Sequence, residues 1–167
     1  DLSMLEGKML INLDSEEEGE FLTSCAGGGR ANMFLPISRD EKEGIAYQIS
    51  VEGLTGGHSG MEITKERANA NKLMGRLLFE VRKEAEFHLA ELAGGQADNA
   101  IPRDCSAVVL VDEAEQAAFE AAVMAMGSIF QNEQKVPDPE LKVVLTNLGV
   151  KDAEVLDRSS LTQALMV

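Results

Sequence analysis

The sequence predicts an α/β fold, and three observations predict it. A period-two run, "GIAYQISVEGL" over residues 44–54, sets Ile45, Tyr47, Ile49 and Val51 on one face of a strand and Ala46, Gln48 and Ser50 on the other. After the glycines of "TGGHSG" the period becomes helical, with Leu73, Leu77 and Val81 four apart and Met74 and Leu78 reinforcing the stripe. Two apolar runs, "FHLAELAGG" and "DCSAVVLVD", then flank the loop "GGQADNAIPR" and read as strands, followed by a second helical stripe, Phe119, Val123, Met126 and Phe130, over residues 113–134. The order strand, helix, strand, strand, helix is most of a ferredoxin-like split βαβ unit, with two helices packed on one face of a sheet.

The flanking segments complete the expected layout. "GKMLINLD" ends in an acid and "GEFLTSCAGG" ends in glycines, and both short apolar runs are expected as strands. "RANMFLPISRDEKEG" is expected to be a further strand with a solvated, charged turn at residues 39–44. Glu66 is expected near the start of the first helix, where its charge suits the dipole. The tail "DPELKVVLTNLGVKDAEVLDRSSLTQALMV" is expected to be helical, which leaves the sheet one strand short. That shortfall, with the apolar ending Leu165-Met166-Val167, suggests an internal segment of a larger protein.

Composition removes several function classes. The chain has 167 residues, 44% of them hydrophobic, enough for a real core. A formal charge of −14 argues against nucleic acid, whose recognition needs clustered Lys and Arg. Trp is absent and Tyr occurs once, so a stacking platform for single strands lacks its parts. No apolar run is long enough for a membrane span, and "DLSMLEGK" lacks the pattern of a signal peptide, so the expected location is cytoplasmic. Cys25 and Cys105 belong to no CxxC pair and are expected to be buried free thiols.

Three places offer chemistry. Asp14 ends the run "LINLD", where a strand would fix its Cα and the loop beyond would leave space for a cation; the alternative is a solvated acid, as for Glu16, Glu17, Glu18 and Glu20. His58 stands among small residues in "GLTGGHSGMEI", so its imidazole is either uncovered for a substrate or idle in a glycine-rich turn. Asn99 precedes Ile101-Pro102, whose proline biases Ile101 to extended geometry; its amide either projects from a rigid loop or bonds its own backbone. His88, inside an apolar strand, reads as structural. Two histidines and two cysteines give no convincing nucleophile pair, and a self-sufficient zinc site lacks ligands.

Together, "LINLDSEEEGE", "CAGG", "LTGGHSG", "RANANKLMGRLL" and "GGQADNAIPR" resemble the aminoacyl-histidine dipeptidases, also called Xaa-His or cytosol non-specific dipeptidases of the peptidase D type, over residues 10–103 and more loosely beyond. The resemblance implies a zinc metallopeptidase whose catalytic α/β domain is interrupted by an α+β lid, or dimerisation, domain of ferredoxin-like topology. Residues 1–28 would then be the end of a catalytic-domain segment, one strand included, and the crossover into the lid. Residues 29–167 would be the lid, incomplete at its C-terminal end. It further implies that Asp14 ligates one of two zinc ions, that His58 holds substrate and polarises the scissile carbonyl, often across a dimer, and that Asn99 contacts substrate. The general base would lie upstream, leaving no catalytic residue within the chain, and the isolated chain is expected to be inactive. Expected partners are a dipeptide and a second copy joined through the lid. The competing expectation is a non-catalytic ferredoxin-like module for binding or dimerisation.

Overall fold

The computed structural model describes residues 6–9, 11, 13, 18–24 and 27–166. The chain divides into two units, Asp1–Phe34 and Leu35–Val167. Among the described residues of the first unit there is no helix or strand, and Met9, Ile11, Leu13 and Phe21 are exposed. The strands expected in "GKMLINLD" and "GEFLTSCAGG" are therefore not found among their described residues. A strand persists only where a neighbour takes up its N–H and C=O groups, and among the described residues none pairs with these runs.

In the second unit, β1 (Arg39–Glu52) contains most of the strand expected over residues 44–54 and starts five residues before it. Residues 39–44 form its first half, paired with the far end of the chain, where the sequence suggested a charged turn; residues 30–38, expected as a strand, form none. Helix α1 (Ala70–Val81) buries Leu73, Met74, Leu77, Leu78 and Val81, the stripe that the sequence showed. Strand β3 (His88–Gly94) and strand β5 (Cys105–Val111) pair antiparallel, and α2 (Gln116–Glu133) buries Phe119, Val123, Met126 and Phe130. Between them lie two short strands, β2 (Gly57–His58) and β4 (Ala100–Ile101), which make a separate two-stranded ribbon.

The tail corrects the expectation of an unfinished sheet. Residues Lys142–Leu156 form strand β6, not a helix, and only α3 (Arg158–Met166) is helical, started by Asp157 accepting from the Ser160 N–H at 2.6 Å. Strand β6 pairs antiparallel with β1 from Lys142 opposite Glu52 to Leu156 opposite Arg39, with an irregularity between Ala46 and Tyr47 where Gly149 takes φ +78°. The sheet runs β3-β5-β1-β6, antiparallel throughout, which is the ferredoxin-like order with its fourth strand present.

One core lies between this sheet and the helices. Tyr47, Ile49 and Val51 of β1 meet Leu77 of α1, Phe119 of α2 and Leu161 of α3. Phe119 is the hub, with its ring 5.3 Å from Tyr47 and 6.0 Å from Phe87. Truncating such a ring costs about 3–5 kcal/mol. On the other face, Ala46, Ala90, Leu110 and Val155 make a small second cluster. Arg39 crosses the sheet there, its guanidinium donating to the carbonyls of Ala90 at 2.9 Å and Glu154 at 3.1 Å. The helix-side core is the larger of the two clusters, and neither takes in a residue of the ribbon.

Candidate functional site

The ribbon brings together two of the three residues singled out in the sequence. Gly57 pairs with Ile101 and His58 with Ala100, and the Ser59 N–H donates to the Asn99 carbonyl at 2.9 Å. His58 and Asn99 are therefore neighbours across the ribbon, and both are exposed. Among the described residues the Asn99 amide makes no side-chain hydrogen bond. Asp14 lies outside the described residues.

Local geometry fixes the imidazole. The backbone N–H groups of Gly60 and Met61 donate to His58 Nδ1 at 3.1 and 3.3 Å. An Nδ1 that accepts cannot carry the proton, so the neutral ring bears it on Nε2 and presents an N–H donor on its outer edge. Glu62 accepts the His58 backbone N–H at 2.9 Å, the Lys65 ammonium at 2.7 Å and the Arg67 guanidinium at 3.0 Å. The hydrogen bond from Lys65, then the one from the His58 backbone, hold the Glu62 carboxyl down at about 2. Arg67 also donates to the Gly56 carbonyl. Gly57, at φ +140°, makes this possible: a Cβ there would run into Glu62 Oε2 and the Arg67 guanidinium.

The ribbon is tied to the scaffold at three points. The Ala70 N–H donates to the Pro102 carbonyl at 3.0 Å, fastening β4 to the first turn of α1, which Asn69 caps by accepting from Asn71 and Lys72. Arg103 Nε donates to the Leu54 carbonyl at 3.3 Å. Asp138, buried in the connection between α2 and β6, accepts the N–H of Thr55 and that of Ala68, each at 2.7 Å. One carboxylate thus holds both ends of residues 55–68, the segment that carries His58. Beside the ribbon opens a cleft of about 830 Å³, lined by Ser59, Asp98 and Ala100 and, on the helix side, by Arg67, Asn69 and Asn71.

Glu62, Arg67 and Asp138 were not picked out as site residues. Asn69 caps the helix that follows, but nothing in the spacing reveals that Arg67 turns back to the ribbon. Glu66 departs from expectation: at φ 55° it closes the short 3-10 turn Ile63–Lys65 and lies before the cap instead of in the helix. Asp138, an acid between Pro137 and Pro139, was the available signal, since a charged residue in a rigid turn often binds backbone N–H groups. Among the described residues, no group of three His, Cys, Asp or Glu is placed to hold a metal ion.

The model of the peptidase dimerisation domain matches residues 49–137, more than half of the chain and all of the ribbon. The chain belongs to this family. The dimerisation domain is also 33% identical over 157 residues to the cytosol non-specific dipeptidase of Escherichia coli (strain K12), covering 93% of this chain and 32% of that protein. Its fold matches the crystal structure of aminoacylhistidine dipeptidase from Vibrio alginolyticus with a TM-score of 0.73 and 28% identity, over 79% of this chain and 27% of that one. A hydantoinase/carbamoylase family amidase from Burkholderia ambifaria, 14% identical, shares the fold alone, with a TM-score of 0.54 over 74% of this chain and 31% of that one. The chain spans about a third of the length of the relatives it matches. The resemblance carried by the sequence motifs is thereby borne out at the level of family and fold.

Proposed function

We propose that this dimerisation domain is the lid part of a di-zinc dipeptidase that hydrolyses Xaa-His and other unblocked dipeptides, with His58 and Asn99 as substrate contacts. In this reading residues 1–28 belong to the catalytic segment and crossover, and residues 29–167 to the lid. The enzyme works as a cytoplasmic homodimer joined through the lid. The observation that carries the reading is the ribbon: it brings His58 and Asn99, both exposed, to neighbouring positions of two paired strands.

The chemistry follows from the ring's tautomer. Nε2–H donates to the scissile carbonyl oxygen and strengthens that bond as negative charge develops there, which is transition-state stabilisation by a preorganised donor. Asn99 offers a donor and an acceptor to the peptide backbone and orients it. The two zinc ions, and Asp14 as a ligand of one, belong to the same proposal. The described residues do not form such a centre, so the steps assigned to this chain end at substrate contact.

Exchanging His58 for Ala in the dipeptidase that carries this chain tests the reading. Loss of a donor of this kind costs about 10²–10³ in kcat, with zinc content and melting temperature unchanged. Kinetics equal to the parent's would instead favour a non-catalytic binding or dimerisation module.

A further inference from the structure

Arg67 and Glu62 reach the two peptide groups on either side of Gly57, the residue before His58. Arg67 donates to the Gly56 carbonyl, and Glu62 accepts the His58 N–H at 2.9 Å. The two side chains join each other at 3.0 Å, so one ion pair spans the backbone turn from which His58 projects. Both are only partly exposed, the Arg67 side chain to 19% and the Glu62 side chain to 28%, which limits competition from water. Gly57 lies between them at φ +140° with no room for a Cβ, so the pair and the glycine form one fitted unit. The ring is then pinned through Nδ1 by the N–H groups two and three residues on, those of Gly60 and Met61. Lys65 bonds the same Glu62 oxygen as Arg67, at 2.7 Å, and leaves the other to the His58 N–H.

We infer that Arg67 and Glu62 are a positioning pair, which holds the Gly56–His58 backbone so that the imidazole of His58 keeps a single tautomer and direction. The inference rests on the proposed role of His58, but it concerns residues that do not touch substrate. Positioning errors of about 1 Å at a reacting centre cost up to about 100-fold in rate. Because the pair acts as a unit, removing either partner releases the same turn, and removing both adds little.

The test has two readouts. In the 167-residue chain, two-bond nitrogen-proton NMR spectra report the protonated nitrogen of His58, with His88 the other imidazole. Arg67→Met and Glu62→Ala are each expected to turn one sharp Nε2–H pattern into a mixture of tautomers. In the dipeptidase carrying the chain, each is expected to lower kcat about tenfold with KM within about twofold, and the double variant to fall no further than the worse single one. Arg76→Met is the control: it removes the two-bond pair with Glu133 between α1 and α2, at 2.7 and 2.9 Å, away from the ribbon. The control is expected to leave the ring spectra and turnover unchanged. Unaltered His58 spectra in both single variants overturn the inference. So does turnover within twofold of the parent while His58→Ala abolishes it, or an Arg76→Met variant that gives the same changes. If His58→Ala leaves turnover untouched, the dipeptidase reading fails, and the ring spectra still decide whether the pair positions the imidazole.

Discussion

Replacing Asp138 with Ala removes the acceptor that both ends of the His58 segment share. The carboxylate is 1% exposed and bonds the Thr55 and Ala68 N–H groups, each at 2.7 Å. Hydrogen bonds to a charged group are worth about 1.5–3 kcal/mol each, and a buried donor left without a partner keeps its desolvation cost. The Ala68 bond is fully buried, whereas the Thr55 bond is partly open and water can replace it in part. The sum is about 2–4 kcal/mol, and with a urea slope of about 2 kcal/mol/M the midpoint falls by about 1–2 M. Asp138→Asn retains one carbonyl acceptor and turns an NH₂ group towards the second N–H, so it lies between Ala and the parent. Equilibrium urea unfolding followed by circular dichroism measures all three chains. A shift below about 0.3 M for Asp138→Ala, or an Asn variant as stable as the parent, would refute the argument that two buried backbone donors depend on this carboxylate.

Two further outcomes follow from titrating groups. The Glu62 carboxyl is held down to about 2, mainly by Lys65 and the His58 backbone, so the ribbon contacts it makes are present above the ordinary carboxylate range and are lost as pH falls towards 2; the Glu62 side-chain carboxyl carbon resonance is expected to stay constant from pH 7 to about pH 4 and to move only below that. Cys105 is buried, and that burial pushes its thiol up to about 11, with Asp104 adding to the shift. In a Cys25→Ser background, Ellman's reagent at pH 8 is therefore expected to leave Cys105 unmodified until urea unfolds the chain.

Most of the scaffold was legible because its apolar residues sit at clean periods. Ile45 to Val51 on β1, the Leu73–Leu77–Val81 stripe and the Phe119–Phe130 stripe each bury one face against one core, so a single period describes them. Strand β6 was not legible for the opposite reason. It lies at the sheet edge with both faces partly in water, so polar residues interrupt both faces, and Gly149 shifts the phase of the alternation midway. The apolar residues left, Val143, Val144, Leu145 and Leu148, fit a helical spacing about as well as an extended one. The β-branched content of "KVVLT" was the signal that favoured a strand.

The candidate site was legible in its exposed tips and not in the residues that support them, and the difference has a physical cause. A tip such as His58 or Asn99 is marked locally, by glycines that uncover it or by a proline that stiffens its loop. A support acts across sequence distance: Asp138 reaches back 70 residues to Ala68 and 83 to Thr55, and no spacing rule connects them. Even Arg67, only 11 residues from Gly56, depends on a left-handed backbone at Glu66 and an open φ at Gly57 before its side chain can turn to the ribbon. The supports are polar side chains bonded to backbone, so their number matters less than their sharing: Glu62 serves three donors and Asp138 serves two. A ribbon of two paired residues on each strand is too short to be stable by its own ladder. Its order is borrowed through these shared carboxylates, which is why changes at Asp138, which touches only the ends of the segment, or at Glu62, which bonds the His58 backbone, are expected to reach the imidazole.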